Sequence, residues 1–254
     1  MKAVVLGATG TMGALVSNQL GERGVTVVEA HRGSGVDART GAGLAEAVDG
    51  ADVVIDCLNL TTMSAAKAKE FFAQAATNVA EAATAAGARV VCLSICNAAD
   101  PAVNRRMGYY QGKAAQEQTY RDILGNRLTV VRTTQWFELA ATMTDQMSVG
   151  PIAVMPHMVT APMAASDGAA VIADAALGTA HQGRPVVEVR GPEQLDLVDV
   201  ARALRGVRGA RGPLIPIRFG GRALRDGSLI PQHPDVVTAM TLDQWLKGEN
   251  SQLA

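Results

Sequence analysis

Short runs of β-branched residues alternate along the chain with longer stretches in which alanine and polar residues share a helical period. Lys2–Leu6 (KAVVL) reads as a buried strand, and Thr11–Arg23 as the helix that follows it. Val25–Ala30 is a second strand, and Ala51–Cys57 (ADVVIDC) a third, preceded by a helix near Gly43–Val48. Ser64–Ala86 carries few β-branched residues and predicts one long helix, stopped by Gly87 as its C-cap. Arg89–Leu93 and Leu128–Arg132 (LTVVR) supply two more strands. Strands alternating with helices in this way predict a doubly wound α/β fold, a Rossmann-type parallel sheet with helices on both faces.

The alternation loosens after about Thr133, where Pro151, Pro156, Pro162, Pro185 and Pro192 interrupt the apolar runs. Helices are still expected at Ser166–Leu177, Leu195–Leu204 and Leu242–Lys247, with a strand at Pro185–Val189 and a Gly/Arg-rich stretch between Gly206 and Gly227. The expected organisation is a dinucleotide-binding core over 1–150 and a smaller, irregular substrate-covering region over 151–254, packed together as one unit.

Composition narrows the classes. The chain has 254 residues, is 48% hydrophobic and 19% charged, and balances 23 Lys+Arg against 24 Asp+Glu. A core of ordinary size is within reach, and nothing global attracts nucleic acid or an anionic membrane. No apolar run approaches the length of a membrane span, and the start shows no signal-peptide pattern. Three cysteines, Cys57, Cys92 and Cys96, are too few for a disulfide scaffold and lack a zinc-like spacing, so they are expected to be buried hydrophobes in a reducing, cytoplasmic setting. No metal site is expected. The partner is expected to be a small-molecule substrate, and self-association into a homo-oligomer is open.

Gly7-Ala8-Thr9-Gly10-Thr11-Met12-Gly13 lies where the first strand turns into the first helix. The first glycine permits the tight turn, and Gly10 lets a pyrophosphate approach the backbone. Gly13 lets the helix lie close on the strand, and the helix N-terminus faces the phosphates. An acidic residue about 20 positions on would suit the ribose of NAD. Here that region reads Ala30-His31-Arg32-Gly33-Ser34, and Arg32 has the charge and fork geometry suited to a 2′-phosphate. NADP is therefore the expected cofactor, with NADPH favoured over NADH.

Four segments together carry a resemblance: GATGTMG at the first turn, His31-Arg32, YYQGKAAQE at Tyr109–Glu117 and VVRTTQWFE at Val130–Glu138. With Ala161–Leu177 after them, the chain resembles the short-chain dehydrogenase/reductase superfamily in its atypical, NmrA-like branch. The resemblance implies that Tyr109 donates or accepts the proton, that Lys113 assists it and binds the nicotinamide ribose, and that Ser94 holds the substrate carbonyl. It also implies an adenine contact for Asp37, and it sets Leu58 and Asn59 along the cofactor. Tyr109 and Lys113 are four apart on a predicted helix and so share a face. A phenol of pKa about 10 needs a nearby cation to act near neutrality. Tyr110, immediately after, could be presented instead. Trp136, Phe137 and His157, with Met143, Met147, Met155, Met158 and Met163, are the candidate pocket lining, and they point to a hydrophobic substrate. The implied activity is NADP(H)-dependent oxidation or reduction of a carbonyl/alcohol pair. A non-catalytic NADP-binding redox sensor, or an epimerase or dehydratase using the cofactor transiently, is the alternative.

Overall fold

The computed structural model describes residues 1–253 apart from Met63, His181, Gln182 and Gly220. In chain order its first half runs β1 (Lys2–Leu6), α1 (Thr11–Glu22), β2 (Thr26–Ala30), α2 (Leu44–Val48), β3 (Val53–Asp56), α3 (Ala65–Ala85), β4 (Arg89–Ile95), α4 (Pro101–Asn104), α5 (Gly108–Leu124) and β5 (Leu128–Thr133). The remainder is α6 (Phe137–Gln146), β6 (Ser148–Val149), β7 (Ile152–Pro156), β8 (Val159–Thr160), α7 (Ala165–Leu177), β9 (Val186–Arg190), β10 (Leu195–Asp196), α8 (Leu197–Val207), β11 (Leu214–Ile217), β12 (Val236–Val237) and α9 (Leu242–Leu253).

Seven strands form one parallel sheet in the order β12-β9-β5-β4-β3-β1-β2. The valines, leucines and isoleucines within its central strands β1, β3, β4 and β5 are buried on both faces, apart from Ile95 at the end of β4, which is why these strands read as apolar runs. The faces are covered by helices: α1 and α7 join one apolar cluster with Val5, Ile55, Val91 and Val131, while α3 and α5 join the other with Val4, Val54, Val90 and Val130. Small residues bring α3 and α5 close together. A Cβ on Gly112 would lie 2.7 Å from the Phe72 ring and 2.9 Å from Ala68.

Residues beyond 150 divide between two tasks. α7, β9 and β12 complete the sheet layer. The others, joined by α6 from before residue 150, form a cap with its own apolar cluster, in which α6, α8 and α9 surround Phe137, Leu197, Val200, Leu204 and Trp245. Two small sheets, β11-β7-β6 and β10-β8, tie the cap together. The Gly/Arg-rich stretch holds β11 and a 3₁₀ turn at Arg222–Leu224, and α9 extends six residues past the predicted Lys247. Among the described residues no helix is long and apolar enough to cross a membrane.

Candidate active site

The chain crosses from β1 to β2 on one side of the sheet and then places β3 on the other side of β1. This reversal opens a crevice at the carboxyl ends of β1 and β3, the place where ligands bind in such sheets. Gly7 sits there with φ +73°, and a Cβ on it would meet the Cys57 carbonyl oxygen at 2.9 Å. A Cβ on Gly13 would lie 2.2 Å from the Gly7 carbonyl oxygen, so only glycine lets α1 start this close to β1. No side chain caps α1 at Gly10. The first-turn N–H groups of Thr11, Met12 and Gly13 thus face outward as donors, as a helix start requires. Thr9, Gly10 and Thr11 are exposed, whereas the Met12 side chain is core and only its backbone can serve a ligand. This uncapped, positively polarised turn fits a dinucleotide pyrophosphate.

Beyond β2, Arg32 opens an exposed 3₁₀ turn shaped by a reciprocal bond between His31 and Ser34. Asp37 is half-buried, and its Oδ1 accepts the Arg39 N–H at 2.8 Å, fixing a turn. Asn59 is exposed and its side chain closes on the Leu60 N–H.

Tyr109 and Lys113 are brought together around one ring. The Lys113 ammonium lies 4.5 Å over the Phe72 centroid, and the Tyr109 ring packs edge-on against Phe72 at 5.9 Å. Tyr109 is half-buried. Tyr110 points elsewhere: it is 2% exposed, and its hydroxyl accepts from Gln135 Nε2 at 2.8 Å. Burial pushes the Tyr110 phenol well above its ordinary value, so it is set as a structural hydrogen-bonding group. The geometry thus separates the two tyrosines.

Lys113 is itself buried and spends its three protons on Leu58 O (3.2 Å), Leu93 O (3.0 Å) and Gln116 Oε1 (2.9 Å). Gln116 passes the restraint on, donating to Asp56 Oδ2 at 2.7 Å. Asp56 is fully buried and also accepts from the Tyr120 hydroxyl (2.6 Å) and the Leu58 N–H (2.8 Å). Asp56 and Gln116 escaped the sequence reading. The signal was present, since a carboxylate ends the apolar run VVID, where burial demands donors.

Ser94 lies on β4, as expected, but it faces α5. Its hydroxyl donates to Glu117 Oε1 at 2.5 Å. Glu117 has no exposed side-chain surface and is gripped by Arg132 at 2.7 Å and by Arg121, while Arg132 reaches Glu188 at 3.2 Å. Burial opposes the charge on Glu117, but the bonds from Arg132 and Ser94 outweigh it and hold the carboxyl below its usual range. The resemblance gives Ser94 a carbonyl to hold, whereas here its proton is already committed to a buried ion pair.

The expected pocket lining is corrected in part. Trp136 is half-buried at the end of β5, its indole N–H donating to Thr133 Oγ1 at 3.2 Å. Phe137 is fully buried against Trp245, 5.3 Å between ring centroids, so it belongs to the cap core and leaves no face for a ligand. Met155 and Met163 are likewise fully enclosed, which withdraws much of the support for a hydrophobic substrate. His157 bonds Asp196 Oδ2 at 2.6 Å, next to the Val198 N–H that Asp196 caps at the start of α8. Burial works against the Asp196 charge, but the bonds from His157 and the N–H groups of Val198 and Met158 prevail and lower its pKa. Cys57, Cys92 and Cys96 are free and buried, and desolvation raises all three thiols. Among the described residues no cluster of His, Cys, Asp and Glu is arranged to hold a metal.

The glycine turn and the Tyr109 helix meet at one dipeptide: Gly7 abuts Cys57–Leu58, and the Leu58 carbonyl holds Lys113. The fold, a Rossmann-type parallel sheet flanked by helices, is shared along nearly the whole chain with solved structures. A dTDP-4-dehydrorhamnose reductase from Bacillus anthracis, solved in complex with NADP, matches 97% of this chain and 96% of its own at 15% identity, TM-score 0.72. A UDP-N-acetylglucosamine 4-epimerase from Bacillus cereus matches 100% and 99% at 15% identity, TM-score 0.72. A short-chain dehydrogenase/reductase superfamily protein from Agrobacterium tumefaciens with bound NAD matches 99% and 96% at 15% identity, TM-score 0.68. No family model and no curated protein matches the sequence.

Proposed function

We propose that the protein is an NADP(H)-dependent oxidoreductase acting on a carbonyl/alcohol pair. The observation that carries this reading is the contact chain from the Gly7 turn through Leu58 to Lys113 and Tyr109, which sets a phenol and an ammonium beside a dinucleotide cradle. The backbone N–H groups after Gly10 would hold the pyrophosphate and Arg32 the 2′-phosphate, whereas Lys113, its three protons already placed on Leu58, Leu93 and Gln116, has none left for the nicotinamide ribose. The cofactor, when bound, supplies or takes up a hydride. Tyr109 moves the proton at the substrate oxygen. Lys113, positioned by Gln116 and Asp56, holds its charge over the Phe72 ring on which Tyr109 also packs.

One observation favours a second reading. The Ser94 proton is tied to Glu117, which removes the donor expected to orient the carbonyl. A protein that binds NADP without turning it over, as a redox sensor would, is consistent with that. Titration with NADPH followed by assay over a carbonyl panel separates the two. Tyr109→Phe is expected to cut turnover by roughly 10²–10⁴-fold with NADPH affinity little changed. Tight NADPH binding with no turnover of any carbonyl, or full activity in Tyr109→Phe, would overturn the oxidoreductase reading.

A further inference from the structure

A second opening lies on the same carboxyl rim. It has a volume of about 360 Å³ and is lined by Arg190, Gln194, Asp226, Ser228, Ile230 and Gln232, among others. Arg190 is the last residue of β9, and the strand beside it in the sheet, β5, leads to Trp136. The far wall is fixed to the end of β4: Asn97, three residues past Ser94, donates from Nδ2 to the Ser228 carbonyl at 2.8 Å.

Arg190 differs from the other half-buried arginines of the sheet strands. Arg132 is matched by Glu117 and Glu188, and Arg89 by the carbonyls that end α7. Arg190 Nε is enclosed and has no hydrogen-bond partner, and among the described residues no carboxylate pairs with its guanidinium. Asp226, on the opposite wall, does not serve: its Oδ1 accepts the Ser228 N–H and hydroxyl, and its Oδ2 lies 3.6 Å from Arg222 Nε. An enclosed donor left unmatched is costly, and a planar fork recognises a two-oxygen anion well.

We propose that this cavity holds the substrate, with Arg190 binding an anionic group on it, a carboxylate or a phosphate. The assignment to substrate rests on the oxidoreductase reading above. The amides of Gln194 and Gln232 suit hydroxyl groups, so the substrate class is a polar, hydroxylated carbonyl or alcohol carrying one such anion.

Isothermal titration of the full chain with succinate and, separately, inorganic phosphate tests the site without any turnover. One of the two binds the unaltered protein, and which one distinguishes a carboxylate from a phosphate. Arg190→Gln weakens that binding by roughly tenfold to a hundredfold, the loss of a charge-assisted pair, and Arg190→Lys falls between. Saturating NADPH leaves the probe bound. Binding of neither probe, equal binding by Arg190→Gln in protein that melts normally, or displacement by NADPH would each overturn the proposal. Probe binding through Arg190 with no carbonyl turnover would instead count against the oxidoreductase reading alone.

Discussion

Replacing Arg132 by methionine tests whether the Glu117 ion pair holds α5 on the sheet. Glu117 has a side chain with no exposed surface, and Arg132 is its closest full charge from the strand side, at 2.7 Å with 19% of its own side chain exposed. Removing one partner of a buried pair typically costs about 3–5 kcal/mol, because the remaining charge is left without compensation. Arg121 still reaches Glu117 from the next turn of α5, so the expected loss is at the lower end, about 3 kcal/mol. For a chain of this length that corresponds to a fall in Tm of roughly 6–12 °C. The sign of the pH dependence makes the test specific. In the unaltered protein the folded pKa of Glu117 lies below the ordinary 4.5. Its contribution is therefore complete above the unfolded value and is lost as pH falls through the depressed folded value. In Arg132→Met, burial prevails and the folded pKa rises, so acidification from neutral towards the ordinary value narrows the gap between variant and parent. Urea unfolding at a series of pH values measures this directly. A loss under about 1 kcal/mol, or stability curves that stay parallel across that range, would refute the reasoning. Glu117→Leu placed on Arg132→Met should recover much of the loss, because both halves of the pair are then absent.

Arg32→Ala should remove most of any NADPH-over-NADH preference, about 1–3 kcal/mol in binding, with NADH affinity unchanged; equal affinities in the parent would refute the 2′-phosphate assignment. Tyr110→Phe should cost about 1–3 kcal/mol of stability by leaving the Gln135 amide unmatched, while turnover persists; calorimetric melting alongside rate assay checks both. Cys57, Cys92 and Cys96 should resist iodoacetamide at pH 8 in the folded state, because burial raises each thiol. Mass spectrometry showing rapid labelling of native protein would contradict the buried geometry.

The sheet was readable because its information is local. KAVVL, VVID and LTVVR are strands whose apolar residues are buried and whose apolar runs do not depend on neighbours, and the spacing of Gly7, Gly10 and Gly13 states its own geometry. The Tyr109–Lys113 pairing followed from helical spacing for the same reason. What escaped the reading is set by packing at long range. Asp56 meets Gln116 and Tyr120 across some sixty positions of sequence, and no periodicity announces that. Ser94 stood at the expected strand end, but only the position of α5 decides whether its hydroxyl turns to a ligand or to Glu117. Phe137, Met155 and Met158 have the composition of a pocket, and the packing of the cap makes them core, while Met163 is buried in the sheet-side cluster. Nothing in the sequence singles out Arg190, because only the packing around its Nε leaves that donor without a partner.

Apart from α9, which follows β12, the cap is built from two excursions, each of which leaves the sheet from one strand and returns on the adjacent one, the first also carrying α7 back to the sheet layer. Residues 134–185 depart from β5 and come back on β9, and residues 191–235 depart from β9 and come back on β12. Neighbouring parallel strands are about 4.8 Å apart, so both excursions are loops whose ends the sheet has already joined. Closing such a loop costs about 0.6 kcal/mol for each doubling of its length. The chain can therefore gain or lose cap residues with little consequence for the register of the strands beneath. A scaffold arranged in this way keeps the glycine turn at the end of β1 constant while what covers it is rewritten, and new ligand preferences in proteins of this design should arise by change between β5 and β12 and not within the sheet.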